Sequence, residues 1–181
     1  MNKPIQTLLA EHNHMRKALV CFEEQLDTFE RAEQPDYAVL ADSLAYCRDY
    51  LDQWHHPRED AMFEILQQRN ASRASSVRQL SDEHRQLAAA TLRVVGVFRD
   101  VAERSALHLR EDLVRSGREL SADYRDHMDW EESAFFPVVE EVFEQADWRR
   151  LKEQVGSLAD CSTTNPVEQQ YAALLRAISE L

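Results

Sequence analysis

One spacing constrains this fold more than any other feature: a histidine and glutamate pattern occurs twice, 72 positions apart. The stretch HHPREDAMF begins at His55, the stretch HMDWEESAF begins at His127, and both read His-x-x-x-Glu-acid-x-x-Phe. The repeat extends upstream, because LLAEH ends at His12 and LSDEH ends at His84. The sequence therefore predicts two related halves, each built from a pair of segments.

The scarcity of turn residues limits the fold class. A chain of 181 residues is long enough for one domain with a substantial core. It contains only three Gly and five Pro, so few residues favour the positive φ that tight hairpins need. We expect an all-α, up-down-up-down four-helix bundle over residues 1–148, with a C-terminal helical tail over 149–181 that packs on the bundle.

Apolar residues at intervals of three and four predict the helices of this bundle. The first runs from Ile5 to Phe29 and the second from about Asp36 to Gln68, with Pro57 inside it. A third carries the stripe from Val77 to Val101, and a fourth follows a weak boundary near 104–107 and continues to Val142. Because the second stripe continues beyond Pro57, we predict a bend at this proline and not an end.

Each predicted helix carries one histidine in its apolar stripe, in the order His12, His55, His84 and His127. In an up-down bundle these positions lie about 30 Å from the turns that join the paired helices, so all four share one layer. Each of the second and fourth helices adds a glutamate four residues later, one turn along the same face. These glutamates are Glu59 and Glu131.

Two unpaired carboxylates in an apolar core would cost several kcal/mol, and a metal cluster removes that cost. Imidazole and oxygen ligands suit iron, manganese or zinc. Two related half-sites suit two metal ions with the carboxylates as bridges. The predicted metal ligands are His12, His55, Glu59, His84, His127 and Glu131.

Other histidines offer an alternative ligand pair. His56 and Asp60 have the same spacing as His55 and Glu59, one position later, and the apolar register favours the earlier pair. His14, His56 and His108 fall off the stripes and are interpreted as surface residues.

The formal charge of −12 argues against nucleic acid or an anionic membrane as a partner. Three cysteines without a CxxC motif indicate reduced, packed thiols, not a disulfide framework. The sequence shows no signal peptide and no membrane-spanning run, so we expect a cytoplasmic monomer or homodimer with no membrane contact.

The ordered motifs LLAEH, HHPREDAMF, DEH and HMDWEESAFFP, followed by ADW, resemble the hemerythrin HHE cation-binding family between Ile5 and Trp148. This resemblance implies a four-helix bundle with a non-haem centre of two iron ions at the six predicted ligands. It also implies a small diatomic or peroxide ligand, namely dioxygen, nitric oxide or peroxide, in sensing or stress defence. The alternatives are an enzyme that reduces peroxide or nitric oxide, an iron-delivery protein for iron-sulfur repair, or a structural zinc-bound bundle.

The family's oxygen-carrying branch has a further histidine one turn from the third-helix histidine, where this chain has Leu80 and Ala88. That branch also places its last carboxylate five residues after the histidine, which selects Glu132 instead of Glu131. With four stripe histidines, the pattern is closer to the HHE proteins associated with nitrosative stress and iron handling than to simple oxygen carriers.

Overall fold

The computed structural model describes residues 2–77, 80–159 and Leu174, and every regular element in this part of the chain is helical. The prediction of an all-α fold is confirmed. The α-helices are α1 (Lys3–Glu30), α2 (Tyr37–Tyr50), α3 (His56–Arg69), α4 (Ala71–Ala74), α5 (Leu80–Glu103), α6 (Arg110–Trp130), α7 (Phe136–Val142) and α8 (Gln145–Ala159).

Two π-helical segments connect these helices into longer runs. Leu51–His55 joins α2 to α3, and Glu131–Phe135 joins α6 to α7. The second and fourth predicted helices are therefore continuous through Pro57 and Pro137, as their apolar stripes indicated. The irregularity that we expected at Pro57 is a wide helical turn just before it.

Local chemistry sets the helix ends. The Asp36 carboxylate accepts hydrogen bonds from the backbone N–H groups of Ala38 and Val39, at 2.9 and 3.1 Å, and so caps α2. Asn70 ends α3, and its side chain accepts from the N–H of Arg73 to begin α4. At the end of α5, Arg104 has a φ of 55°, a left-handed conformation that stops the helix.

The four long helical runs pack against one another as neighbours: α1 contacts α2 and α6, and α5 contacts the same two helices. Two apolar clusters fill the interior. Along α1, Leu8 belongs to one cluster, Met15 to the other, and the buried His12 lies between them. Along α5, His84 separates Leu80 from Leu87 in the same way. A polar layer therefore crosses the bundle between two apolar cores.

One stripe shifts by a residue where the second π-helical segment intervenes. The sequence predicts Val138 and Val142 on the inner face, whereas the structure buries Phe136 and Val139 and leaves the predicted pair only half-buried. A π-helical turn contains one residue more than an α-turn, so every later residue advances by one position. The register that α-helical periodicity predicts is therefore wrong after Phe135.

Helix α8 packs against α3, and the Trp148 ring lies 4.9 Å from that of Phe143. Beyond α8, the structure describes only Leu174 of the predicted C-terminal tail, and this residue is buried in one of the apolar clusters. Cys21 and Cys47 are free and buried, and Cys161 lies outside the described residues. In the part of the chain that the structure describes, no helix is both long and apolar enough to cross a bilayer.

Candidate metal centre

The two glutamates of the repeated pattern lie fully buried in the polar layer, and each contacts the histidine of its own motif. Glu59 Oε1 is 3.0 Å from Nε2 of His55, one turn away on the same helical run. Glu131 Oε1 is 3.1 Å from Nε2 of His127. The π-helical segments leave this pairing intact, because His55 is the last residue of Leu51–His55 and Glu131 is the first residue of Glu131–Phe135.

The two halves also meet across the bundle axis. His12 Nε2 is 3.4 Å from Glu131 Oε2, and His84 Nε2 is 3.6 Å from Glu59 Oε2. His12 Nε2 is also 2.9 Å from Nε2 of His55. The structure thus brings the six residues of the predicted ligand set into one cluster, and each of them is buried.

His56 joins this cluster, so its interpretation as a surface residue is wrong. Its side chain is 4% exposed, and its ring stacks on His84 with centroids 3.7 Å apart and an interplanar angle of 7°. The His127 ring lies 5.8 Å away, edge-on. His14 and His108 are exposed, as predicted. The layer therefore contains five imidazoles, not the four that the apolar stripes indicated.

The π-helical segment before His56 explains why periodicity missed it. The N–H of His56 donates to the carbonyl of Leu51, five residues back, so the turn is wider than an α-turn. Pro57 follows directly and has no N–H to donate, and its ring would clash with the carbonyl of a regular preceding turn. The extra residue turns His56 inward beside His55. An adjacent pair of histidines before a proline is the sequence signal that could have suggested this.

The nitrogen and oxygen donors of the layer fall into two sets, each compact enough to hold a metal ion. In each set the donor atoms lie within 4.8 Å of one another. One set is His12, His55, Glu59 and Glu131, and the other is His56, His84 and His127.

The alternative carboxylates, Asp60 and Glu132, contact the outer side of the histidine rings. Asp60 Oδ1 is 3.2 Å from Nδ1 of His84 and accepts a hydrogen bond from the Ser81 hydroxyl. Glu132 Oε1 is 2.8 Å from Nδ1 of His12. The geometry therefore places Glu59 and Glu131 at the centre of the cluster and these neighbouring acids around its rim.

Sequence reasoning missed two further acids in the same position, Glu11 and Glu83. Glu11 Oε2 is 2.8 Å from Nδ1 of His55, and Glu83 Oε2 is 3.4 Å from Nδ1 of His127. Each acid directly precedes a stripe histidine, LLAEH and LSDEH, which is the signal that could have identified them. Their side chains reach the histidine of the neighbouring helix.

These four contacts repeat with the same 72-residue offset as the motifs. The Glu11 contact to His55 corresponds to the Glu83 contact to His127, 72 positions later. The Asp60 contact to His84 corresponds likewise to the Glu132 contact to His12. A carboxylate on the outer nitrogen fixes both the tautomer and the orientation of a metal-binding imidazole. The internal repeat therefore includes the support of the rings as well as the rings themselves.

Arginines hold two of the four outer carboxylates. Arg58 donates to Glu11, and Arg16 donates to Glu132 Oε1 at 2.7 Å. The other nitrogen of the Arg16 guanidinium donates to Asp129 at 2.6 Å, on the surface. Both arginines contact carboxylates that support His12 and His55.

The ionisable side chains of the cluster shift one another's pKa values. Burial alone would lower the pKa of His12, but its contacts with the carboxylates of Glu131 and Glu132 raise this pKa to about 9. His84 behaves alike: burial opposes its charge, and contacts with Asp60 and Glu131 raise its pKa to about 9. Burial and the nearby His84 hold the pKa of His56 well below its ordinary value, so this ring is neutral.

Several buried nitrogen and oxygen atoms of the cluster make no hydrogen bond within the described residues. Among them are both carboxylate oxygens of Glu59, Oε2 of Glu131 and Nε2 of His127. Leaving buried polar atoms unsatisfied costs free energy, and a cation among them would remove that cost. Imidazole nitrogens with carboxylate oxygens form the donor set that iron, manganese and zinc prefer. The residues present therefore fit a metal site.

Comparison with known proteins supports the same conclusion. A family model, the hemerythrin HHE cation binding domain, matches residues 3–139. Neither the search of curated proteins nor the search of solved structures found a match. The matched range contains all five clustered histidines, both central glutamates and the four outer carboxylates. The chain therefore belongs to the hemerythrin HHE cation-binding family.

Proposed function

We propose that this chain is a non-haem di-iron protein whose buried cluster holds two iron ions. The observation that carries the proposal is the division of the donors into two compact sets, with Glu59 and Glu131 in reach of histidines from both halves. Two ions side by side would give both glutamates a cation to bind, which supports a bridging role. An up-down-up-down order of the four long helical runs is part of this proposal, since it brings the four stripe histidines to one level.

The side chains of the cluster have distinct roles in this proposal. His12 and His55 would hold one ion, His56, His84 and His127 the other, and the central glutamates would neutralise the charge of both. The four outer carboxylates orient the rings, and the two apolar cores exclude water from either side. Bound iron would supply redox chemistry and an affinity for small ligands.

We propose a small diatomic or peroxide molecule as the ligand, in sensing or stress defence. The set with His12 and His55 offers one imidazole fewer than the other, which supports an open position on that side. The fifth imidazole, His56, removes the argument against the oxygen-carrying branch that rested on a count of four. Dioxygen, nitric oxide and peroxide are therefore all retained as ligands to be tested.

An anaerobic ferrous titration of metal-free protein tests the proposal. We expect saturation at about two irons per chain, and new near-ultraviolet absorption when air is admitted. The Glu59→Ala variant should lose the paired site while it keeps its helical circular dichroism, because this carboxylate contacts both halves. Glu64→Ala, an exposed acid on the same helix, is the matched control and should bind as wild type does.

Saturation at one iron or none would contradict the proposal. Retention of two irons with an unchanged spectrum in Glu59→Ala would contradict the bridging role alone. Preference for zinc over iron, with no spectral change in air, would favour a structural bundle instead.

A further inference from the structure

A groove runs along the surface between α5 and α6 and reaches His127 at the edge of the buried cluster. It consists of two adjoining cavities, of about 310 and 620 Å³, that share Ala90, Arg93 and Asp123. The larger cavity is bounded at one end by Glu83 and His127. The groove therefore extends along the bundle surface to the ring of one clustered histidine, His127.

Acidic side chains occupy one wall of this groove. Glu119, Asp123 and Asp126 lie at successive turns of α6, and all three are exposed. Like charges at this spacing destabilise a helix by about 0.2 to 0.5 kcal/mol per pair. Burial and the charges of Asp126 and Glu119 raise the pKa of Asp123, as expected for a carboxylate in an acidic environment.

Other acids near α6 are paired with arginine, whereas the described residues give no such partner to the three groove acids of α6. Arg118 on α6 donates to Asp27 and Glu30 of α1, at 2.8 and 2.6 Å. Within the described residues, no arginine, lysine or histidine forms an ion pair with the three groove acids of α6. The three acids of this wall therefore repel one another, although arginines of the same helix form ion pairs with acids of α1.

The His127 ring forms the boundary between the groove and the cluster. It is only 5% exposed, yet it lines the larger cavity. Nδ1 of this ring is 3.4 Å from Oε2 of Glu83, which also lines the groove. Nε2 lies 3.1 Å from Glu131 Oε1, on the side of the cluster, and has no hydrogen-bond partner among the residues that the structure describes. One ring thus offers a nitrogen near each side of the boundary.

We propose that this groove is the route by which a divalent metal cation enters the buried cluster, with Asp123 and Asp126 as transient ligands of the arriving ion. Four acids and one arginine, Arg93, line the groove, and a cleft in which one sign of charge predominates raises the local concentration of the opposite charge. Glu83 and His127 receive the ion at the inner end, and the central glutamates lie just beyond. The inference rests on the proposed metal-binding function, since a route requires a destination.

Rapid mixing of metal-free protein with ferrous ion, without oxygen, tests the route. Intrinsic tryptophan fluorescence reports the rate of uptake, and metal analysis after gel filtration reports the final content. We expect the double variant Asp123→Asn/Asp126→Asn to load about 3- to 10-fold more slowly at low ionic strength. The difference should shrink in about 1 M salt, where the screening length falls to about 3 Å. The final metal content should equal that of wild type.

Two further variants make the test specific. Glu24→Gln/Glu64→Gln removes the same charge at exposed positions that do not line the groove, so it should load at the wild-type rate. Arg93→Gln removes a cation that both cavities share, so it should load faster than wild type. Slower loading by Asp123→Asn/Asp126→Asn and faster loading by Arg93→Gln cannot both arise from partial unfolding.

Each outcome has a distinct meaning. If wild type binds iron but the groove variants load at the same rate as the control pair, the groove is an ordinary solvated acidic surface and the inference is overturned. If the control pair slows as much as the groove pair, net charge and not the groove governs uptake, which also overturns it. If wild type takes up no iron, the proposed function itself fails.

Discussion

Among single residues, His56 has the greatest influence on what the cluster can bind. Its neutral ring lies against His84 and near His127, and these three form one of the two donor sets. Without His56, that set would retain two imidazoles and resemble the other one. A single buried ring therefore makes the two halves of a repeated site unequal.

Replacing His56 with alanine should weaken metal binding strongly. The change removes one of three imidazoles from its set, and we expect the loss of about one of two irons per chain after gel filtration. His14→Ala is the matched control, because His14 is exposed on α1 and lies outside both donor sets. Metal content and the visible spectrum of both variants provide the measurement. Two retained irons with an unchanged spectrum in His56→Ala would remove His56 from the ligand set.

The sequence could predict where the outer carboxylates lie along the bundle, but not which histidines they contact. Glu11 and Glu83 stand directly before stripe histidines, yet each contacts the histidine of another helix. The sequence places these acids at the correct height in the bundle. Their partners depend on how neighbouring helices are rotated, and this rotation follows from packing that no single helix encodes.

Among the helices, regular periodicity predicted most buried positions, and its errors lie next to the π-helical segments. The predicted stripe of α1 is buried along its whole length, from Ile5 to Phe29. The predicted stripe of the fourth run fails after the segment Glu131–Phe135. Proline follows each π-helical segment by two residues, but proline alone also permits a kink or an end. Stripe analysis assumes about 3.6 residues in every turn, so it could not reveal a turn that contains one residue more.

Two glycines in long helices should respond in opposite ways to substitution by alanine. A Cβ at Gly96 would meet nothing within 4 Å, so Gly96→Ala should stabilise the protein by about 1 kcal/mol through helix propensity. A Cβ at Gly117 would lie 2.8 Å from Cδ1 of Leu26 and 3.1 Å from Cζ of Phe22. Both neighbours are fully buried and have little room to move.

The cost of overpacking, about 1 to 3 kcal/mol, should therefore exceed the gain in propensity at Gly117. We expect Gly117→Ala to lower the free energy of unfolding by about 1 kcal/mol, measured by urea denaturation. Gly96→Ala serves as its control in the same experiment. Equal stabilisation by the two substitutions would show that α1 and α6 pack less closely than described.

For the molecule as a whole, the polar layer has opposite effects on stability and function. It interrupts an apolar interior that would otherwise be continuous, and it brings buried carboxylates and imidazoles together. Without metal, protonated His12 and His84 balance the charges of the central glutamates. Protons on these histidines therefore balance the glutamate charges in the metal-free protein, and we expect metal cations to balance them in the loaded protein.

This substitution of protons for cations makes the stability of the metal-free protein depend on pH. The pKa of His12 and of His84 is about 9 in the folded protein, above the ordinary histidine pKa of about 6.5. Their stabilising contribution is therefore complete below pH 6.5 and is lost as the pH rises through 9. We expect the free energy of unfolding to fall by a few kcal/mol, about 1.4 kcal/mol for each unit by which one pKa differs.

Urea denaturation of chelator-treated protein at several pH values between 6.5 and 9 measures this loss. The double variant His12→Gln/His84→Gln lacks both titrating rings, so its free energy of unfolding should vary less over the same range. The metal-loaded protein should also vary less, because imidazoles that bind a metal carry no additional proton. A wild-type midpoint that stays constant from pH 6.5 to 9 would contradict the prediction. It would mean that the central glutamates of the metal-free cluster hold their own protons and leave the histidines neutral.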